Sequence, residues 1–284
     1  MLYYNSKPFM KKILYIAAIL ILFISCKSKP GDDEGESNNK HLDQSAEMLQ
    51  QFRPVIHGVW VKKNYIKKVL KTKSPLEAID RVEGVTTFVV DTTQIKGDKL
   101  NVPVSWNNHK AGELTLRFQP GKNTTTIMLG DDELSYTVKR NDTTLIIYHY
   151  NDKKHETTSD KYIKAFSKLP PAGISYPMSY LINEGMMSGR YEGTDAAGKK
   201  FNIVFTNDGR VSGYPGLSTY FVQNDLGEKM NNLDILIFNR GTPNERTYAF
   251  ELKRKVLTLY ETKANADSTE WIQGGLKMTL AKVR

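Results

Sequence analysis

From about residue 53 to the end of the chain, apolar and polar positions alternate mainly with period two. Val85-Thr86-Thr87-Phe88-Val89-Val90, Leu100-Asn101-Val102-Pro103-Val104 and Glu113-Leu114-Thr115-Leu116-Arg117-Phe118 alternate or run β-branched. Leu134 to Val138 and Thr144 to Tyr148 continue the pattern. Short runs of this kind, separated by Gly, Asn, Asp and Pro, predict antiparallel strands. Lys96-Gly97-Asp98, Pro120-Gly121-Lys122-Asn123 and Asn141-Asp142 supply the turns between them. Strands recurring about every ten residues predict a sandwich or barrel.

Two stretches near the start of this set carry a helical period instead. Tyr65, Ile66, Val69 and Leu70 fall on one face of Asn64–Lys71, with Lys63, Lys67, Lys68 and Lys71 opposite. Ser74-Pro75-Leu76-Glu77 has the form of a capping box and predicts a second short helix over 75–82. The Asn64–Lys71 helix is expected as a lid, apolar face inward, over the open end of a first barrel.

Ser167 to Gly185 interrupts the alternation with Pro170-Pro171-Ala172-Gly173 and Pro177, and reads as a linker. The strand pattern then resumes. Phe201 to Phe205 meets Arg210 to Tyr214 across Asn207-Asp208-Gly209, a strong hairpin signal. Runs at 233–238, 247–252, 256–260 and 276–283 complete a second set.

The two sets look like copies. They open with Gly58-Val59-Trp60 and Gly189-Arg190-Tyr191, and residues 133–150 align without gaps on 245–262 at a shift of 112. That alignment pairs Tyr136 with Tyr248, Leu145 with Leu257 and Tyr148 with Tyr260. Repeated order, period and opening motif predict two homologous β-domains, 53–166 and 186–284, joined by the linker 167–185. Each is near 100 residues, enough for its own core, so the halves are expected to fold separately.

A Gly-x-Trp on the first strand followed by about eight antiparallel strands resembles the lipocalin-like superfamily. The likeness runs closest to uncharacterised tandem lipocalin-like lipoproteins of Gram-negative bacteria. It implies an all-β fold of two consecutive lipocalin-like antiparallel barrels, with one or two short helices inserted after the first strand of the first. In lipocalins a late Arg stacks on the Trp; here Arg284 is a candidate for that place. The second copy carries Tyr191 where the family has Trp.

The N-terminus changes the picture of where such a protein works. Lys11-Lys12 precede Ile13 to Ile24, twelve residues without charge, and Leu22-Phe23-Ile24-Ser25-Cys26 follows. A basic segment, a short apolar run and a small residue before the processing point describe a secretory signal over 1–25. Twelve residues rise about 18 Å as a helix, short of a ~30 Å hydrocarbon core. Leu22 to Cys26 resembles the lipobox of bacterial lipoproteins, in which the signal is cut before the cysteine and the cysteine is acylated. Cys26 is the single cysteine of the chain, which excludes a disulfide framework and any Cys-based zinc cluster. Residues 26–52, rich in Ser, Asn, Asp and Glu, are expected as a flexible tether. The expected location is the cell envelope, lipid-anchored to the outer membrane on its periplasmic or surface face.

Of the 284 residues, 39% are hydrophobic and 25% charged, which suits globular structure. The formal charge of +9 falls by three, to +6, when Lys7, Lys11 and Lys12 leave with the signal. That is too diffuse to call for nucleic acid. No imidazole lies beyond His155, and His149 and His155 lack the spacing of a compact metal pair. No Gly-x-Ser-x-Gly elbow, phosphate loop or His-Glu-x-x-His occurs. No metal or cofactor is therefore expected, and no enzyme.

The expected function is a non-enzymatic envelope lipoprotein, held to the membrane through the lipid on Cys26. It would bind a small apolar or amphipathic ligand or a protein partner. Trp60, Tyr65, Ile66, Val69 and Tyr191 are the candidate ligand contacts. The alternatives are a surface glycan-binding lipoprotein of a polysaccharide uptake system, stacking sugars on Trp60, Trp106 and Trp271, and a carboxylate-based hydrolase.

Overall fold

The computed structural model describes residues 33–225, 227 and 230–283. The signal segment 1–25 and Cys26 lie outside the described residues. The fold is all-β with a few short helices. Eight consecutive strands close the first barrel: β1 (Gly58–Lys62), β2 (Val85–Val90), β3 (Lys99–Trp106), β4 (Lys110–Pro120), β5 (Ile127–Leu129), β6 (Asp132–Lys139), β7 (Asp142–Asn151) and β8 (Glu156–Phe166). Every neighbour is antiparallel, and β8 returns to β1.

The second half repeats the meander with β9 (Gly189–Asp195), β10 (Lys200–Phe205), β11 (Val211–Ser212), β12 (Tyr220–Val222), β13 (Ile235–Phe238), β14 (Arg246–Lys253), β15 (Val256–Ala264) and β16 (Trp271–Lys282). β16 pairs with β9 and the sheet curls round to edge strands β11 and β12. These edges are consecutive in the chain and meet through an isolated bridge, Arg210 with Thr219, and a hydrogen bond from Val211 N–H to Ser218 O at 2.9 Å. The expected hairpin at Asn207-Asp208-Gly209 forms, with Phe205 opposite Val211.

The repeat is real but its register differs from the expected one. Lys139 pairs with Asp142 across the β6–β7 turn, and Lys253 pairs with Val256 across the β14–β15 turn, a shift of 114 and not 112. Tyr136 therefore corresponds to Phe250. A slip of two residues leaves every side chain on its original face of the sheet, so the amphipathic pattern aligned equally well at either shift.

The stretch expected as a tether is helical from Asp33. Helix α1 (Asp33–Ile56) runs into β1, and Met48, Phe52 and Ile56 are buried in the first barrel. The three recur every fourth residue, one stripe of a helix, within a segment whose overall composition reads as linker. Phe52 meets Tyr136 edge to face, with ring centroids 5.2 Å apart. The expected linker is likewise structured. Helix α3 (Tyr176–Ile182) and a π-turn, Asn183–Met187, bury Met178, Ile182, Met186 and Met187.

The two inserted helical segments occur where the pattern places them. Helix α2 spans Lys63–Thr72, and a 3₁₀ turn spans Leu76–Arg81, with Glu77 N–H donating to Ser74 Oγ at 2.9 Å. The lid expectation fails. Tyr65, Ile66 and Val69 join the cluster that fills the second barrel, with Met178, Ile182 and Met187 between. They pack against Val61, Ile163 and Ala165, which point out of the first barrel's wall. A Cβ on Gly185 would lie 2.4 Å from Leu70 Cδ2, a measure of how closely α2 and the π-turn meet. β1 and β2 are buried on both faces for this reason, one against the barrel interior and one under the helices.

Polar contacts fix the halves together. Asn108 Nδ2, in the β3–β4 turn, donates to Asn224 Oδ1 at 2.8 Å. His109 Nδ1 meets Asp225 at 2.7 Å, and Leu76 N–H donates to Asp234 at 3.0 Å.

Candidate functional site

Each strand that opens a barrel begins with a glycine at positive φ, Gly58 at 137° and Gly189 at 141°. Two residues on, the aromatic ring points inward and donates to the carbonyl four residues before it. Trp60 Nε1–H reaches Ile56 O at 2.7 Å, and Tyr191 O–H reaches Met187 O at 2.8 Å. Burial pushes the Tyr191 hydroxyl up to about 12. The late cation that sits over each ring is a lysine. Lys164 Nζ lies 5.0 Å from the Trp60 ring centre and Lys282 Nζ 5.8 Å from that of Tyr191. Arg284, the expected occupant of that place, lies outside the described residues.

These rings close the barrels rather than lining a pocket. Trp60, Phe88, Leu116, Phe118, Leu145 and Tyr162 are all fully buried in one interior cluster. Tyr191, Phe205, Phe238, Leu257 and Leu280 do the same in the second half. An eight-stranded barrel is just wide enough for its own side chains to fill it, and both are filled. Trp60 and Tyr191 therefore stand in barrel interiors, while Tyr65, Ile66 and Val69 stand between the halves. The candidate contacts do not converge on one site.

A convergent polar site appears at the other end of the first barrel. Lys62 is almost wholly buried and pairs with Asp160 at 2.7 Å; it also donates to Glu83 O. Asp160 meets His149 Nε2 at 3.4 Å, and His149 Nδ1 meets Asp132 at 2.8 Å. Carboxylates on both sides raise the imidazole to about 9, so it is a cation at neutral pH and not a general base. Burial alone would raise Asp160, but the bonds from His149 and Lys62 outweigh it and hold the carboxyl below its ordinary value. Among the described residues no group of three or more His, Cys, Asp or Glu is placed to hold a metal ion.

Sequence reasoning weighed His149 only as a metal ligand and missed the convergence of these four residues, although a signal was present. Lys62, Asp132, His149 and Asp160 each stand two positions beyond an inward apolar residue: Trp60, Leu134, Ile147 and Tyr162. Period two puts each on the inward face, where its strand leaves the core. The cluster opens on a surface cleft of about 480 Å³, lined also by Asn64, Asp80, Arg81 and Thr158. A second cleft of about 520 Å³ shares His149 and Thr158 and extends to Tyr150 and Glu156.

The tryptophans are dispersed. Trp60 is buried inside the first barrel, Trp106 lies at its polar end, and Trp271 covers Ile235, Ile237 and Ala249 on the outer wall of the second. Among the described residues no helix is long and apolar enough to cross a membrane. The chain matches no family model, and no curated protein is significantly similar to it.

Proposed function

We propose that the protein is a non-enzymatic envelope lipoprotein of the tandem lipocalin-like kind, held at the outer membrane by a lipid on Cys26. Its task is to bind a protein partner on the outside of its barrels. The observation that carries the choice of partner is the filling of both interiors by the protein's own side chains. A small apolar ligand inside a barrel would have to displace rings such as Phe118 or Phe205, each about 1% exposed or less. The cleft over Lys62, His149 and Asp160 supplies charged groups, Lys62 buried and the other two half-buried, of the kind that orient a protein contact.

Three measurements test the reading. Titration with an environment-sensitive apolar dye is expected to show no saturable uptake; one dye bound per chain would overturn the exterior mode. A photo-crosslinker at Thr158 in cells is expected to give a discrete adduct that the same probe at Val138, on the opposite end, does not. Cys26→Ser is expected to release the protein from membranes and abolish palmitate labelling. Unchanged fractionation and labelling would overturn the anchor.

A further inference from the structure

We propose that Lys73, Lys255 and Lys282 form a binding site for a phosphate group at the helix-covered end of the second barrel. The three come from distant parts of the chain. Lys73 ends α2 in left-handed geometry, with φ 65°, and its Nζ donates to Gly185 O at 3.2 Å. Lys255 sits in the β14–β15 turn, and its carbonyl accepts from Lys282 N–H at 2.8 Å. The Lys282 side chain lies over Gly189, where a Cβ would come within 2.5 Å of its Cε.

Burial, together with the charges of Lys73 and Lys255, pushes the Lys282 ammonium below its ordinary value. Among the described residues, none of the three ammonium groups has a carboxylate within ion-pair distance, in contrast with neighbouring Lys253, which pairs with Glu251 at 2.6 Å. Glu184 and Glu192, the nearest acids along the chain to Gly185 and Gly189, pair with none of them. The exposed Arg190 and Arg254 extend the same positive field.

Comparison of the two halves shows that this is not a general property of the fold. At the structural shift of 114, Asn141-Asp142 of the first barrel corresponds to Lys255-Val256 of the second. In the first barrel Asp142 lines the same cleft as Lys164, the counterpart of Lys282. The second barrel has a lysine and a valine at those two places and no acid, and α2 adds Lys73 from outside the repeat. Three ammonium groups act as point charges, and a phosphate group, with more negative charge than a carboxylate, gains the most from them.

Inorganic phosphate titrated into the purified protein by calorimetry at low salt is the first arm of the test. Vesicles of phosphatidylglycerol with phosphatidylcholine, against phosphatidylcholine alone, are the second. The variant Lys73→Gln/Lys255→Gln/Lys282→Gln is compared with an equal charge change at exposed sites of the first barrel, Lys96→Gln/Lys110→Gln/Lys139→Gln. Binding is expected to weaken at least tenfold in the first triple and to stay near wild type in the second. Phosphate bound free identifies a soluble phosphate ligand. Binding to anionic vesicles alone, dependent on the same three lysines, identifies a lipid headgroup. Equal effects of the two triples in both arms would overturn the site. Lys73→Gln/Lys255→Gln leaves the Lys282 packing intact, so a several-fold loss there separates lost binding from lost folding.

Discussion

Ile66→Ala with Val69→Ala tests the placement of α2 between the halves. Ile66 is 4% exposed and Val69 fully buried. Truncating a buried isoleucine costs about 2–5 kcal/mol, and removing the two valine methyls costs about 2 kcal/mol with its cavity. The residues are neighbours and share contacts, so the pair is expected to cost about 4–6 kcal/mol rather than the upper sum. For a chain of this size that lowers the thermal midpoint by about 10–20 °C, and it is a large share of the roughly 5–15 kcal/mol that holds a domain together. Val138→Ala, at a position 55% exposed, is the control and should stay within about 0.5 kcal/mol. Hydrogen exchange locates the damage: amides of 178–191 and of β16 lose protection, while β4 to β6 keep theirs. A total loss below about 1 kcal/mol would refute the shared core, and so would loss of protection confined to β4–β6.

Three further outcomes follow from particular contacts. Gly58→Ala should destabilise more than Gly189→Ala, because its Cβ would meet the Phe166 carbonyl at 2.9 Å whereas at Gly189 the flexible Lys282 chain moves aside; urea midpoints of the two variants check the order. His149 has a folded value of about 9, above the ordinary ~6.5. Its stabilisation is therefore full below pH about 6.5 and fades as pH rises through 9; His149→Gln should flatten the stability profile across that window, and an unchanged slope would disprove the assignment. Fragments 53–167 and 186–284, expected from sequence to fold alone, should each give poorly dispersed amide spectra, since the cuts remove Met48 and Phe52 from one core and Met178 and Ile182 from the other. Residues 33–283 together should give a dispersed spectrum.

The strands, the hairpin at Asn207–Gly209, the repeat and both inserted helical segments were legible because each rests on local information: a period of two or 3.6, a turn residue, a cap. The sites were legible only in part. The inward position of Lys62, Asp132, His149 and Asp160 follows from alternation, strand by strand. That the four meet one another does not, because β1, β6, β7 and β8 are brought together only when the barrel closes.

Alternation along the chain thus determined the fold class, the order of the elements and which residues face inward. The tertiary structure decided what α1, α2 and α3 cover. An apolar stripe such as Tyr65, Ile66 and Val69 requires burial but does not name its partner. Two surfaces were open to it, the neighbouring half and the end of its own barrel from which it departs, where Lys62, Asp132, His149 and Asp160 sit. Charged groups at that end cannot partner an apolar stripe, whereas Met178, Ile182 and Met187 can, and this meeting of distant segments is a property of the assembled chain.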